Sequence, residues 1–371
     1  MNNKNKGKNM TNLKKLGLSA LAGSLVAVSA QAGEIAVTGS ANVTYVTGEK
    51  VNGGKTIGTD RDVAFTGTGE MDNGWTFKVS TLLTDTYTVS SSFTSLTMGS
   101  LGTVSFGTDT GGASYKYDEE VPQAYEQISD AVQTSANIVG NQMDSNSIVY
   151  NSPSFDIAGA SISLDAEFSP NANGVGAGDG GATSKVTATD ADGNLGNYGK
   201  GYGLGATIKY AGLTAGVYGN ERENRDPTTG STKVRDAFEG VWYAKYAVGP
   251  ISFGYSESYL DSGLNGTDAL ATAAKTVRVA SGIFEGEQFS VAFNVNENLS
   301  ISYTDSSDSY DDQSAATTDI ADVSMDTKAI QIAYSMGAMS VKAYNMDTKN
   351  PGYDNDASDT SITEIALGLA F

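Results

Sequence analysis

Polar and apolar side chains alternate one for one along much of this chain, most plainly over its last twelve residues, Thr360 to Phe371. Thr363, Ile365, Leu367, Leu369 and Phe371 share one face, and Ile362, Glu364, Ala366, Gly368 and Ala370 share the other. A period of two is that of a β-strand, whose successive side chains point to opposite faces. The same period runs through Ile35 to Tyr45, Trp75 to Val79, Ile162 to Phe168, Tyr202 to Tyr210, Phe289 to Val295 and Leu299 to Tyr303. A soluble sandwich alternates too. The connections separate the two cases.

Tight and long connections take turns. The tight ones are Met71–Gly74, Gly99–Gly102, Ser154–Ala158, Ala211–Gly212, Val248–Pro250, Asn296–Asn298 and Met336–Ala338, nearly all carrying Gly, Pro or paired Asn, as tight hairpins require. The long ones fall near 48–59, 109–146, 170–199, 222–235, 259–282, 306–325 and 348–359, with a shorter one near 82–88. Seven turns and eight loops join sixteen strands. An even strand number, with connections segregated by length, is the pattern of an outer-membrane barrel. A strand ending on an apolar ring frays in water but is at home where lipid meets water.

The N-terminal residues agree with a membrane destination. Lys4, Lys6, Lys8, Lys14 and Lys15 precede an apolar run from Leu16 to Val28, and Ala30-Gln31-Ala32 is a small-x-small cleavage site. We therefore expect residues 1–32 to be a cleaved signal peptide and 33–371 a single barrel domain. Past the leader no stretch is long and apolar enough to cross a bilayer as a helix. A membrane chain without helical spans must close a sheet on itself, so that every backbone group is paired inside lipid.

Composition narrows the chemistry. Five of the 23 lysines and arginines, and none of the 43 acids, lie in the leader, so the remainder carries a formal charge of −25. Such a chain lacks the basic patch that nucleic acid requires. With no His and no Cys, it lacks the commonest general base, the commonest metal ligand and all thiol chemistry. No catalytic residue, metal or cofactor is expected.

The chain resembles the general diffusion porins of Gram-negative outer membranes, particularly the alphaproteobacterial type. The likeness rests on the opening strand Glu34 to Val46, on Val63 to Gly67 leading into Met71-Asp72-Asn73-Gly74-Trp75-Thr76-Phe77, on Leu101 to Asp109, and on the strand ending in Phe371. The resemblance implies a sixteen-stranded antiparallel transmembrane β-barrel with short periplasmic turns and long extracellular loops. It also implies a homotrimer embedded in outer-membrane lipid, with the third loop folded into a water-filled pore that passes small hydrophilic solutes and ions.

The third loop, near 109–146, is the longest, and loops of that length are usually functional. It holds Asp109, Asp118, Glu119, Glu120, Glu126, Asp130 and Asp144 against a single base, Lys116; in the family the tract Tyr117 to Asp130, with Asp118, Glu119, Glu120, Glu126 and Asp130, becomes the pore constriction. On the strands, Lys78, Lys209, Lys245 and Lys342 alternate with apolar neighbours and are expected to face the lumen, because a charge at the lipid midplane costs about 2–4 kcal/mol. Lys328 shares the face of Ile330, Ile332 and Tyr334 and is expected to snorkel outward. The parity of Arg61 leaves its direction open. Asp308, Asp311, Asp312, Asp319 and Asp322 read as a solvated acidic loop, and Asp190 to Asn194 as a flexible glycine-rich segment, since a calcium loop needs a Glu where Gly201 stands. Gly199, Gly201, Gly203 and Gly205 read as small wall residues. The acids outnumber the inward lysines, which predicts weak cation selectivity. The alternatives are a substrate-selective channel of the same fold and a surface β-protein serving adhesion or structure.

Overall fold

The computed structural model describes residues 33–48, 55–85, 88–108, 112–132, 134–145, 147–172, 198–224, 235–263, 282–311, 313 and 322–371; the expected leader, 1–32, and the segment Asp190 to Asn194 lie outside them. Seventeen strand segments follow one another: β1 (Glu34–Gly48), β2 (Lys55–Glu70), β3 (Thr76–Leu83), β4 (Val89–Thr97), β5 (Thr103–Thr108), β6 (Ser147–Asn151), β7 (Phe155–Ile157), β8 (Ala160–Ser169), β9 (Tyr198–Tyr210), β10 (Leu213–Asn224), β11 (Ala237–Val248), β12 (Ile251–Asp261), β13 (Ile283–Asn294), β14 (Leu299–Asp311), β15 (Val323–Met336), β16 (Met339–Lys349) and β17 (Thr360–Ala370). All belong to one antiparallel sheet in which each strand pairs with its sequence neighbours. Segments β6 and β7 both pair with β8, so they are two parts of one wall strand, and the barrel has sixteen strands. The break falls at Pro153, which has no N–H to give the ladder. Ser152 bridges it: its N–H donates to the Leu164 carbonyl (2.8 Å) and its Oγ accepts from the Leu164 N–H (2.8 Å). The tight turn expected over Ser154–Ala158 is thereby moved to Ala158-Gly159, both at positive φ.

The barrel closes where β17 pairs with β1, Ala41 opposite Leu369 and Tyr45 opposite Ile365. Phe371 completes the seam, exchanging backbone hydrogen bonds with Gly39 at 2.9 and 3.0 Å. A Cβ on Gly39 would collide with the Phe371 ring, so glycine is what lets the final aromatic lie across the first strand. Closure leaves no unpaired edge, which is what allows a sheet to sit in lipid.

Cross-strand partners share a face, so the register fixes which residues look inward. Followed around the wall, Tyr246, Phe253, Val291, Tyr303 and Ile330 share the outer face, and Lys245, Gly254, Ser290, Thr304 and Ala329 the inner one. Tyr45, Tyr210, Tyr246, Tyr303 and Tyr334 are all exposed on the outside. Lys328 is on the outer face as well, where its Nζ lies 3.0 Å from Asp305. Arg61, opposite Ala41 on the same face as Leu369, also points outward and reaches Asp85 at 3.2 Å. Several strands run further than the alternation suggests: β10 to Asn224, β12 to Asp261 and β14 to Asp311. Asp308 therefore belongs to the inner wall, fully buried, and not to a solvated loop. Beyond the apolar band the outer face becomes polar too, so the contrast that marks a strand disappears.

Candidate functional site: a loop folded against the inner wall

Residues 112–132 and 134–145 lie against inward-facing side chains of β6 and of β8 to β17, held by short-range polar contacts and by apolar studs. A 3-10 turn, Ser114–Lys116, and two short helical turns, Ile128–Val132 and Ser135–Ile138, are too short to be stable on their own; the wall holds them. Lys116 meets Asp165 at 2.6 Å, and the Tyr117 hydroxyl donates to the same carboxylate at 2.5 Å. The Ala124 N–H donates to Ser302 (2.9 Å), and Ser290 donates to the Pro122 carbonyl. Gln331 takes the Tyr125 N–H at 2.7 Å and gives its amide to Gln123 (3.0 Å) and to the Glu126 carbonyl (2.6 Å). The Tyr125 hydroxyl donates to Glu364 at 2.6 Å. Further along, the Ser135 N–H and Oγ both donate to Asp308 at 2.6 Å, and the Gly140 N–H donates to Glu239 at 2.7 Å.

Apolar packing supplies the rest. Tyr117 and Val139 pack with Val149, Tyr218, Val241 and Tyr243; Ile138 packs with Leu260, Phe284 and Met325; Ile128 packs with Ala329 and Met346. Each such fully buried side chain is worth roughly 1.5–3 kcal/mol against exposure. The glycine row of β9 makes room for this layer. A Cβ on Gly205 would meet the Tyr117 ring, one on Gly203 the Tyr218 ring, and one on Gly201 the Met143 sulfur. The row is a slot for the loop.

The expected site residues meet different partners. Glu120 pairs with Lys245. Glu119 turns back into the loop, accepting from Ser129 at 2.8 Å and Asn137 at 3.2 Å. Asp118 and Glu126 are half-buried on the loop. Asp130 sits in the first helical turn, and its side chain lies outside the description. Lys245, Lys209 and the intervening Thr214 share the inner face. Lys342 is on the inner face opposite Ala366, with its Nζ 5.2 Å from the Tyr125 ring centre. Lys78 is on the inner face between Thr68 and Ser95, exposed and 5.1 Å from the Phe93 ring centre; no contact ties it to the loop among the described residues. Burial, and then the charges of Glu364 and Glu126, push the Tyr125 phenol well above its ordinary value, so it stays a hydrogen-bond donor.

A family model for Gram-negative porins matches residues 17–371. The chain is a member of the Gram-negative porin family. Solved barrels agree in fold: OmpF of Salmonella typhi in complex with daunomycin is 13% identical with a TM-score of 0.66 over 91% of this chain and 97% of that one. An anion-selective porin from Comamonas acidovorans is 13% identical with a TM-score of 0.60 over 92% and 100%. A porin refined at 1.8 Å gives 13% and 0.60 over 91% and 100%. No curated protein sequence matches. The porin is thus a transmembrane β-barrel channel of the outer membrane.

Several residues that build this porin's interior escaped the alternation argument. Asp165, Glu239, Asp308, Gln331 and Glu364 hold the loop, and Arg222 pairs with Glu239 at 2.7 Å while both are buried. Asp165, Glu239, Gln331 and Glu364 sit at inward parity on strands that the alternation marks, so parity could have nominated them, whereas Arg222 and Asp308 lie in stretches that read as loops. What no pattern supplies is which of them the loop reaches.

Proposed function

We propose that this porin is a passive, non-enzymatic, water-filled channel for small hydrophilic solutes and ions, weakly selective for cations. It works as a homotrimer in the outer membrane, and residues 1–32 direct its export and are removed. The observation that supports the reading is an acidic loop bound along the inner wall by Asp165, Gln331, Glu364 and Asp308. Carboxylates at a narrow passage attract cations more strongly than they would in open water, because charge is screened less there. The preference is weak because the charges partly cancel: Lys116 faces Asp165 and Lys245 faces Glu120.

Reversal potentials across a planar bilayer in a salt gradient test it. The expected sign is that of cation flow, reduced when Glu119, Glu120 and Glu126 are changed together to Gln, and weaker at high salt, since the Debye length is about 10 Å at 0.1 M. An anion preference, or no response to the triple change, would overturn the assignment of the loop as the constriction.

A further inference from the structure

We infer that Asp60 and Asp62, with the Ser40 hydroxyl opposite them, form a binding station for a calcium-like divalent cation on the inner wall. Asp62 is 1% exposed, and neither of its carboxylate oxygens has a hydrogen-bond partner. The Ser40 hydroxyl, 4% exposed, is equally unpartnered, as is one oxygen of Asp60. These atoms converge by register. Ser40 lies directly opposite Asp62, and Asn42 directly opposite Asp60. Opposed residues bring their Cβ atoms to about 4.5–5.5 Å, and residues two apart on one strand lie about 7 Å apart. Four oxygen-bearing side chains thus share one patch of the inner face, and the Ser40 and Asp62 oxygens do not bond each other across it.

An unpaired buried carboxylate is costly. Among the described residues, no base of this wall relieves it. Arg61, between the two acids in sequence, points to the outer face and binds Asp85. Lys55 is also on the outer face, opposite Thr47. Lys78 stands opposite Thr68, six residues down the strand from Asp62, or about 20 Å at the rise of a strand. Carboxylate, hydroxyl and carboxamide oxygens are hard donors, the set that suits calcium and magnesium rather than softer metals. Two carboxylates side by side, ionised together by a bound cation, favour a divalent over a monovalent ion. Calcium tolerates irregular geometry, whereas magnesium demands a near-ideal octahedron that a flat wall does not offer.

Calorimetry with calcium chloride on the detergent-solubilised full barrel tests the station directly, and it does not depend on the channel reading above. One calcium per chain is expected, with magnesium at least tenfold weaker. The paired change Asp60→Asn and Asp62→Asn is expected to weaken calcium at least tenfold, while the loop triple change to Gln leaves it intact. Removing an uncompensated buried charge favours folding, so the paired variant is expected to be at least as heat-resistant as the parent in calcium-free buffer. In bilayers, millimolar calcium is expected to reduce the potassium current of the parent and to spare the paired variant. Absence of calcium binding, or binding unchanged in the paired variant, would overturn the station. Calcium binding that the pair controls, in a protein that forms no pore, would keep the station and remove the channel reading.

Discussion

Gln331→Leu should loosen the third loop without touching the charge of the pore. Gln331 is an inner-wall side chain, 1% exposed, and its amide makes three bonds to the loop, to the Tyr125 N–H, the Glu126 carbonyl and Gln123. Leucine is of similar size and can make none of them. Each bond is worth about 0.5–1.5 kcal/mol net, and a buried amide or carbonyl left without a partner costs about 1–3 kcal/mol. The docked loop should therefore lose about 2–4 kcal/mol relative to a detached one. That multiplies the detached fraction by roughly thirty to several hundred, at about 1.4 kcal/mol per tenfold. The apolar studs at Tyr117, Ile128 and Ile138 remain, so the barrel itself should stay folded. Single-channel recording should show a new, larger conductance level or added low-frequency noise, and limited proteolysis should cut within 112–145. Ser302→Ala, which removes only the bond from the Ala124 N–H, serves as a graded control at about 1 kcal/mol. If Gln331→Leu kept the parent's conductance, noise and protease resistance, the hydrogen bonds would not be what holds the loop.

Lys245→Met should raise cation preference, because it removes the counter-charge of Glu120; reversal potentials read it, and an unchanged value would take Glu120 out of the ion path. The pair is only partly buried and still reached by water, which limits its effect on thermal stability to about 1 kcal/mol. Raising the pH should leave the loop docked until well past neutrality and release it only at strongly alkaline pH. The Tyr125 phenol is held above its ordinary value in the docked state, so a detached loop ionises first, near pH 10, and docking weakens as pH rises beyond that point. Conductance noise against pH measures this, and Tyr125→Phe should abolish the Tyr125 component of the transition.

The barrel was legible because lipid imposes a strong contrast on one face of each strand. Where Ile365, Leu367 and Leu369 meet lipid, alternation with Ala366 and Gly368 is unmistakable. The contrast fails where the wall leaves the apolar band. On β14 the outer residues change from Ile301 and Tyr303 to Asp305, Ser307 and Ser309, while the inner ones are Ser306 and Asp308. Both faces are then polar, and a paired strand reads like a solvated loop, which is why Asp308 could be mistaken for surface. Pro153 misled for a different reason: a residue that cannot donate to the ladder signals a turn, yet Ser152 carries the wall across the gap.

The loop was hidden more deeply, since its contacts join residues remote in sequence: Glu120 reaches Lys245 and Tyr125 reaches Glu364. No short-range period encodes such a pairing. The nearest approach to a local sign is negative, a missing side chain. Gly201, Gly203 and Gly205 look like neutral wall residues until Met143, Tyr218 and Tyr117 are seen to fill the space that their Cβ atoms would take. A glycine row on the inner parity of one barrel strand, opposite tyrosines on its neighbour and on a long loop, is therefore a physical sign of where a loop lies down. It distinguishes this strand from β14, whose inner face presents Ser302 and Asp308 to the loop as hydrogen-bond anchors rather than as space.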